Sequence, residues 1–213
     1  MENNTTDITS IISKELISRS SDLGSDIAEF GLDQFMKEGF LKEIPFMNMV
    51  TAFYNIGNSM IQRHNVKKII TFFQEFNNGQ IDDIKFNQFS HKFNSDNKYR
   101  NDVVETILLL NERFLQVEKS KILANLVLAH INEKLTWKEF SDITFILDGI
   151  HPKCFSILKE MSSQPYWRSQ IINSPPEEAL IIASGIGHRE NSNFVIVELG
   201  QKLYNFGIKP AEI

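Results

Sequence analysis

Two groups of side chains in this 213-residue chain have the types to hold an anion. The first is Arg63, His64, Lys67 and Lys68, four basic or potentially basic residues packed into six positions. The second, further along, is Lys153, Tyr166, Trp167, Arg168 and Arg189, where aromatic rings stand beside guanidinium groups. A phosphate backbone is gripped by such cations, and unpaired bases stack on Tyr or Trp next to Arg, so the chemistry these residues suit is nucleotide or single-strand binding. Taken singly, each reads first as a surface charge or a half-buried core aromatic. Symmetry changes that balance: in a homo-oligomer, a tetramer for instance, four copies of the first cluster around one axis make a strongly positive basin.

Reactive chemistry is expected to be absent. There is no P-loop, no HExxH, no GxSxG and no CxxC in the sequence. Two segments echo a calcium loop, but aligning Gly79 with the loop glycine puts Gln74, Phe76 and Lys85 at ligand positions. Aligning Glu139 with the last ligand puts Leu128 first. His64, His91, His130, His151 and His188 form no i, i+4 pair, and SGIG at Ser184 to Gly187 is too short and too late for a dinucleotide fingerprint. The lone Cys154 permits neither an internal disulfide nor a thiolate cluster. The expectation is a non-enzymatic protein without metal or cofactor.

The element that would position the first basic cluster is the stretch Ile44 to Gln62, IPFMNMVTAFYNIGNSMIQ, which contains no charged residue. At helical period Asn48, Thr51, Asn55, Ser59 and Gln62 draw one polar stripe, with apolar residues over the rest. A helix of this length spans about 28 Å, close to the roughly 30 Å hydrocarbon core of a bilayer. A soluble amphipathic helix covers its wet face with Lys, Glu and Arg, whereas uncharged hydrogen-bonding groups suit a water-lined helix in a membrane bundle. The five stripe residues are therefore the candidate pore lining. The competing expectation is a central helix of a soluble bundle with its amides bonded inside.

Charge is distributed to match. Residues 1–43 hold four basic and nine acidic residues, which accounts for the whole net charge of -5 and leaves the rest of the chain neutral. With Arg63, His64, Lys67 and Lys68 directly after the uncharged stretch, a membrane orientation would keep the C-terminal part in the cytoplasm. The acidic segment reads either as a cation-favouring channel mouth or as an ordinary solvated face. MENNTTDITSIISKEL has neither the basic start nor the apolar run of a secretory signal.

Along the chain, Ile8, Ile11, Ile12, Leu16 and Ile17 predict a short amphipathic helix, and Ile27 to Phe40 a second, with Pro45 opening the central one. That helix continues through Val66, Ile69, Ile70, Phe72, Phe73 and Phe76 to a stop at Asn77, Asn78 and Gly79. Helices are predicted over 84–93, 97–115 and 119–131, then after a Thr136/Glu139 capping box, and then from Pro152. From Ser174 the pattern becomes helix, polar HRENSN tip, a short strand from Phe194 to Val197, and a last helix from Leu199 to Phe206. This looks like half of a winged helix with Arg189 near its tip. The predicted class is mainly α: a helical bundle with a central uncharged amphipathic helix and a C-terminal winged-helix-like module. Its parts would be acidic helices (1–43), a pore or oligomerisation helix (44–79), a helical cytoplasmic domain (80–173) and the winged-helix-like module (174–213).

GFLKEIPFMNMVTAFYNIGNSMIQRHNVKKIITFF, KSKILANLVLAHINEKLTWKEF, and ASGIG followed by NFVIVELGQKLY together resemble a family of small bacterial helical proteins, over roughly residues 39–205. The layout is similar to the membrane effectors of the Hailong anti-phage defence system. The resemblance implies an oligomeric ion channel in the bacterial inner membrane. It implies further that the channel is held shut by a single-stranded DNA oligomer made by a partner nucleotidyltransferase. Arg63, His64, Lys67, Lys68, Arg168 and Arg189 are then the candidate ligand-binding residues. Two alternatives stand beside it: a soluble, cytoplasmic regulatory or interaction protein with a winged-helix-like module, and a nucleic-acid-binding regulator.

Overall fold

The computed structural model describes residues 2–19, 60–170 and 175–212. It is mainly helical, with one small three-stranded antiparallel sheet towards the C-terminus. The chain divides into two compact units, 1–124 and 125–213. Their boundary lies inside the predicted 80–173 segment, so the last helices of that segment belong with the sheet.

In the first unit, α1 (Glu2–Ser18), α2 (Met60–Asn78) and α3 (Asp83–Ser95) each pack on α4 (Asn97–Arg113). The predicted three-and-four spacing is what buries Ile11, Ile12 and Leu16 of α1. On α2 the apolar run closes completely: Val66, Ile69, Ile70, Phe72, Phe73 and Phe76 are buried. Phe72 stacks parallel to Phe76 at 6.0 Å, and Phe73 meets Phe72 edge-on at 5.1 Å. Asn78 ends α2 as the Asn-Asn-Gly sequence predicts. A single residue, Asp96, separates α3 from α4. Its side chain accepts from the Tyr99 N–H, capping the second helix where the first stops.

The second unit begins within α5 (Glu118–Ile131) and holds α6 (Trp137–Gly149), α7 (Lys153–Ser162) and a short 3-10 turn at Pro165–Trp167. It continues with β1 (Arg168–Ser169), α8 (Pro175–Ala183), β2 (Gly187–Glu190), β3 (Asn193–Ile196) and α9 (Glu198–Leu203), which runs on into a π turn at Tyr204–Ile208. The capping box at the start of α6 forms as predicted: Thr136 Oγ1 accepts from the Glu139 N–H, and Glu139 accepts from the Thr136 N–H at 2.8 Å. Pro152 sits one residue earlier than predicted, as the N-cap of α7 rather than its first residue.

The strand order is β1-β3-β2. Arg168 faces Val195, and Ser169 faces Phe194; Gly187 to Glu190 pair with Ile196 back to Asn193. His188 to Glu190, predicted as part of a polar tip, are strand, and the turn shrinks to Asn191 and Ser192, with Asn191 at φ 55°. A strand this polar is legible only from its partner. On β3, Phe194 and Ile196 are buried while Asn193 and Val195 are half-exposed, the alternation of a sheet with one covered face.

The glycines of SGIG serve this packing. Gly185, at φ 71°, closes α8 with the Schellman pair Gly185 N–H to Ile182 O and Ile186 N–H to Ile181 O. Gly187 leaves room for the core: a Cβ there would lie 2.6 Å from Ile181 Cγ2 and 2.7 Å from Phe194 Cε1, both on fully buried residues. Gly187→Ala is expected to cost about 1–3 kcal/mol of overpacking strain, read from urea unfolding.

Glu139 also accepts from Lys202 of α9, joining two elements far apart in sequence. The Lys202 ammonium, followed by the Thr136 N–H and hydroxyl, draws its carboxyl down from 4.5 to about 2. A depressed carboxyl stabilises the fold fully above its ordinary value and ceases to do so as pH falls through the folded one. Stability should therefore decline between pH 4.5 and about 2. In Glu139→Gln that decline should be shallower, measured by denaturant midpoint against pH.

Candidate functional site

Of the predicted pore-lining residues, Asn48, Thr51, Asn55 and Ser59 lie outside the described residues. Gln62 is half-exposed on the first turns of α2. Among the described residues no helix is long and apolar enough to cross a membrane, and only the last three residues of the uncharged stretch are among them.

The structure separates the four members of the first basic cluster by role. Arg63 is exposed, and His64 and Lys67 are half-buried. Lys68 is 1% exposed and points inward. Its Nζ donates to Glu112 O at 2.9 Å and to Phe114 O at 2.7 Å, the carbonyls that the end of α4 leaves without helical partners. One turn earlier His64 Nε2 lies 3.0 Å from Leu115 O. Since a carbonyl only accepts, the ring carries its proton on Nε2 in this contact. His64 and Lys68 thus form a clamp on the α4 C-terminus, where the helix dipole favours positive charge. Burial lowers the Lys68 pKa, with the Glu112 carboxylate acting partly against it. Arg63 and Lys67 remain as the cations of this cluster turned towards the surface.

Arg19, which the sequence did not single out, repeats the same chemistry at the other end of α2. Its Nη2 donates to Phe76 O, Asn77 O and Gly79 O, at 2.6 Å for the last, and its guanidinium lies over the Phe76 ring at 5.7 Å. Only position pointed to it, a basic residue just after α1, and nothing in the sequence places that position against residues 76–79.

The second group falls within the second unit. Arg189 is held by Glu178 of α8 through two bonds of 2.7 Å and also donates to Ser192 O in the turn. This fork draws the Glu178 carboxyl below its ordinary value. Arg168 pairs with Glu190 at 2.7 Å. Tyr166 and Trp167 both adopt φ 55°, a left-handed conformation that costs bulky residues of order 1 kcal/mol or more each. That backbone lays Trp167 edge-on against Tyr204 at 5.6 Å and leaves Tyr166 88% exposed. On the sheet, Arg168, Val195 and His188 stand in one row across the three strands, with Tyr166 two residues before it. Each guanidinium here has a carboxylate partner, so the row is electrically balanced. Lys153 begins α7.

Among the described residues no group of three His, Cys, Asp or Glu side chains is arranged to hold a metal ion. An open cleft of about 750 Å³ lies between α1 and α4, lined by hydroxyls of Ser10 and Ser13, by Lys14 and Arg100, and by Phe93. No protein-family model, curated protein or solved structure was found to match the chain.

A clamp and a surface cation respond differently to truncation. Lys68→Ala removes the donor from two carbonyls, that of Phe114 buried and that of Glu112 partly buried, and should lower stability by roughly 2–4 kcal/mol. Arg63→Ala should stay within about 0.5 kcal/mol. Urea unfolding of the two variants side by side checks the distinction.

Proposed function

We propose that this chain is a non-enzymatic, oligomeric membrane effector of the bacterial anti-phage type. In this reading residues 44–62 line or surround a pore, and a cytoplasmic C-terminal part responds to an anionic ligand such as a nucleotide or a single-stranded DNA oligomer. The observation that carries the reading is the charge pattern of one continuous segment. Nineteen uncharged residues with a single polar stripe lead directly into α2, whose later half is buried core. In this reading the segment continues α2 and passes tilt or rotation to the folded unit, as ligand gating requires. The ligand-facing cations on the α2 side are Arg63 and Lys67, with His64 and Lys68 behind them. Concentration of charge by symmetry in a homo-oligomer, such as a tetramer, supplies the basin that one copy lacks.

The winged-helix-like reading of the C-terminal module belongs to this proposal as well. It is supported by the β1-β3-β2 order, by the β2–β3 hairpin, and by α7 and α8 flanking β1. With Arg168 and Arg189 each paired to a carboxylate, the module suits packing or sensing more than duplex-DNA binding.

The second reading, a soluble regulatory protein, is favoured by the balanced charge of the sheet face. Fractionation separates the two readings: the effector is found in the membrane pellet and the regulator in the supernatant. Thr51→Lys tests the pore directly. It should change ion flux through reconstituted protein, and toxicity in cells, while urea unfolding of the folded units is unaltered. Unchanged flux and toxicity would show that Thr51 does not face a pore.

A further inference from the structure

We infer that the end of the first unit formed by the start of α2 and the end of α4 is a docking surface for an anionic lipid bilayer. The inference rests on the membrane reading above but adds a face which that reading does not contain, because Leu115 and the α4 terminus lie far outside residues 44–62.

Three large aliphatic side chains stand in water here: Met60 is 84% exposed, Ile61 73% and Leu115 87%. The contacts of His64 with Leu115 O and of Lys68 with Glu112 O and Phe114 O bring the two segments together. A helix end is normally a poor surface to bring near hydrocarbon, because its last carbonyls are bare. At this end Lys68 occupies Glu112 O and Phe114 O, and His64 meets Leu115 O just beyond the helix. Charge points the same way. Among the side chains of residues 60–68 and 112–119 that reach the surface, Arg63, Lys67 and Arg113 stand against Glu112 and Glu118, a local net charge of +1 in a chain of net -5, Lys68 and Lys119 being buried. Arg63 is exposed one turn after Met60, which sets a cation at headgroup level beside a side chain able to enter the acyl region. A single-strand site would offer stacking rings beside its cations, whereas the exposed large side chains at this end are aliphatic.

The test uses the full chain with the buried Cys154 replaced by Ala and one environment-sensitive fluorophore on Leu115→Cys. Met60→Cys is the second label position, and Ile84→Cys, at the start of α3 beyond the other end of α2, is the control. Circular dichroism verifies that each labelled protein is folded. With vesicles containing phosphatidylglycerol, the labels at 115 and 60 should shift to the blue and be quenched by brominated acyl chains, while that at 84 should not. Arg63→Gln should weaken binding to these vesicles about fivefold relative to its binding to phosphatidylcholine vesicles. If the chain binds vesicles while the label at 115 stays in water, this face is refuted and the membrane reading survives. If the chain binds no vesicle at all, both fall. A shift at 115 produced without lipid, whether by a single-stranded oligonucleotide or by raising protein concentration, assigns the surface to nucleic acid or to a second copy and overturns the inference.

Discussion

The first unit depends on a buried ammonium group. Lys68 is a charged side chain inside a core of phenylalanines and branched aliphatics, a position that is strongly unfavourable unless its protons are met. Two carbonyls at the end of α4 meet them, and those carbonyls would themselves be stranded without a donor. Each side of the contact removes the penalty of the other, so α2 and α4 are locked in both rotation and register. An apolar side chain at 68 would pack against the same helix without naming which turn of it to meet. Hydrophobic burial supplies most of the stability, and the ammonium supplies the alignment.

Arg19 applies the same physics where α2 ends, with a guanidinium on the carbonyls of Phe76, Asn77 and Gly79 and its plane against Phe76. At one end Lys68 of α2 itself reaches the last carbonyls of α4, and at the other Arg19 arrives from beyond α1 onto the last carbonyls of α2. The second unit uses ion pairs at its surface instead. Lys202 ties α9 to the cap of α6, and Arg189 ties the hairpin to α8. These partly exposed pairs orient elements more than they stabilise them.

For function, the consequence is a division of labour within one short basic run. His64 and Lys68 hold the scaffold, while Arg63 is exposed on the first turns of α2 and Lys67 is half-buried beside it. In the second unit Tyr166 is held out to solvent by a strained backbone at the cost of local conformational energy.

Periodicity and end signals sufficed to locate most helices. The spacing of Ile11, Ile12 and Leu16, the Asn-Asn-Gly stop after Phe76, the Thr136/Glu139 box and Gly185 all act through neighbours within five residues, so they can be read from the chain itself. β1 could not be found in this way, because two residues have no pattern until β3 lies beside them. β2 was hidden for a related reason: its three polar residues look like a turn unless the pairing is known. The same limit applies to Lys68. In sequence it is one of four similar basic residues, yet it is the one that enters the core, because carbonyls 44 positions away converge on its turn of the helix. Local chemistry thus determined where helices begin and end and how charge is distributed along the chain. Which cation is buried and which faces outward was decided only by tertiary packing, since the groups that solvate a buried charge come from a distant helix end that no local pattern reveals.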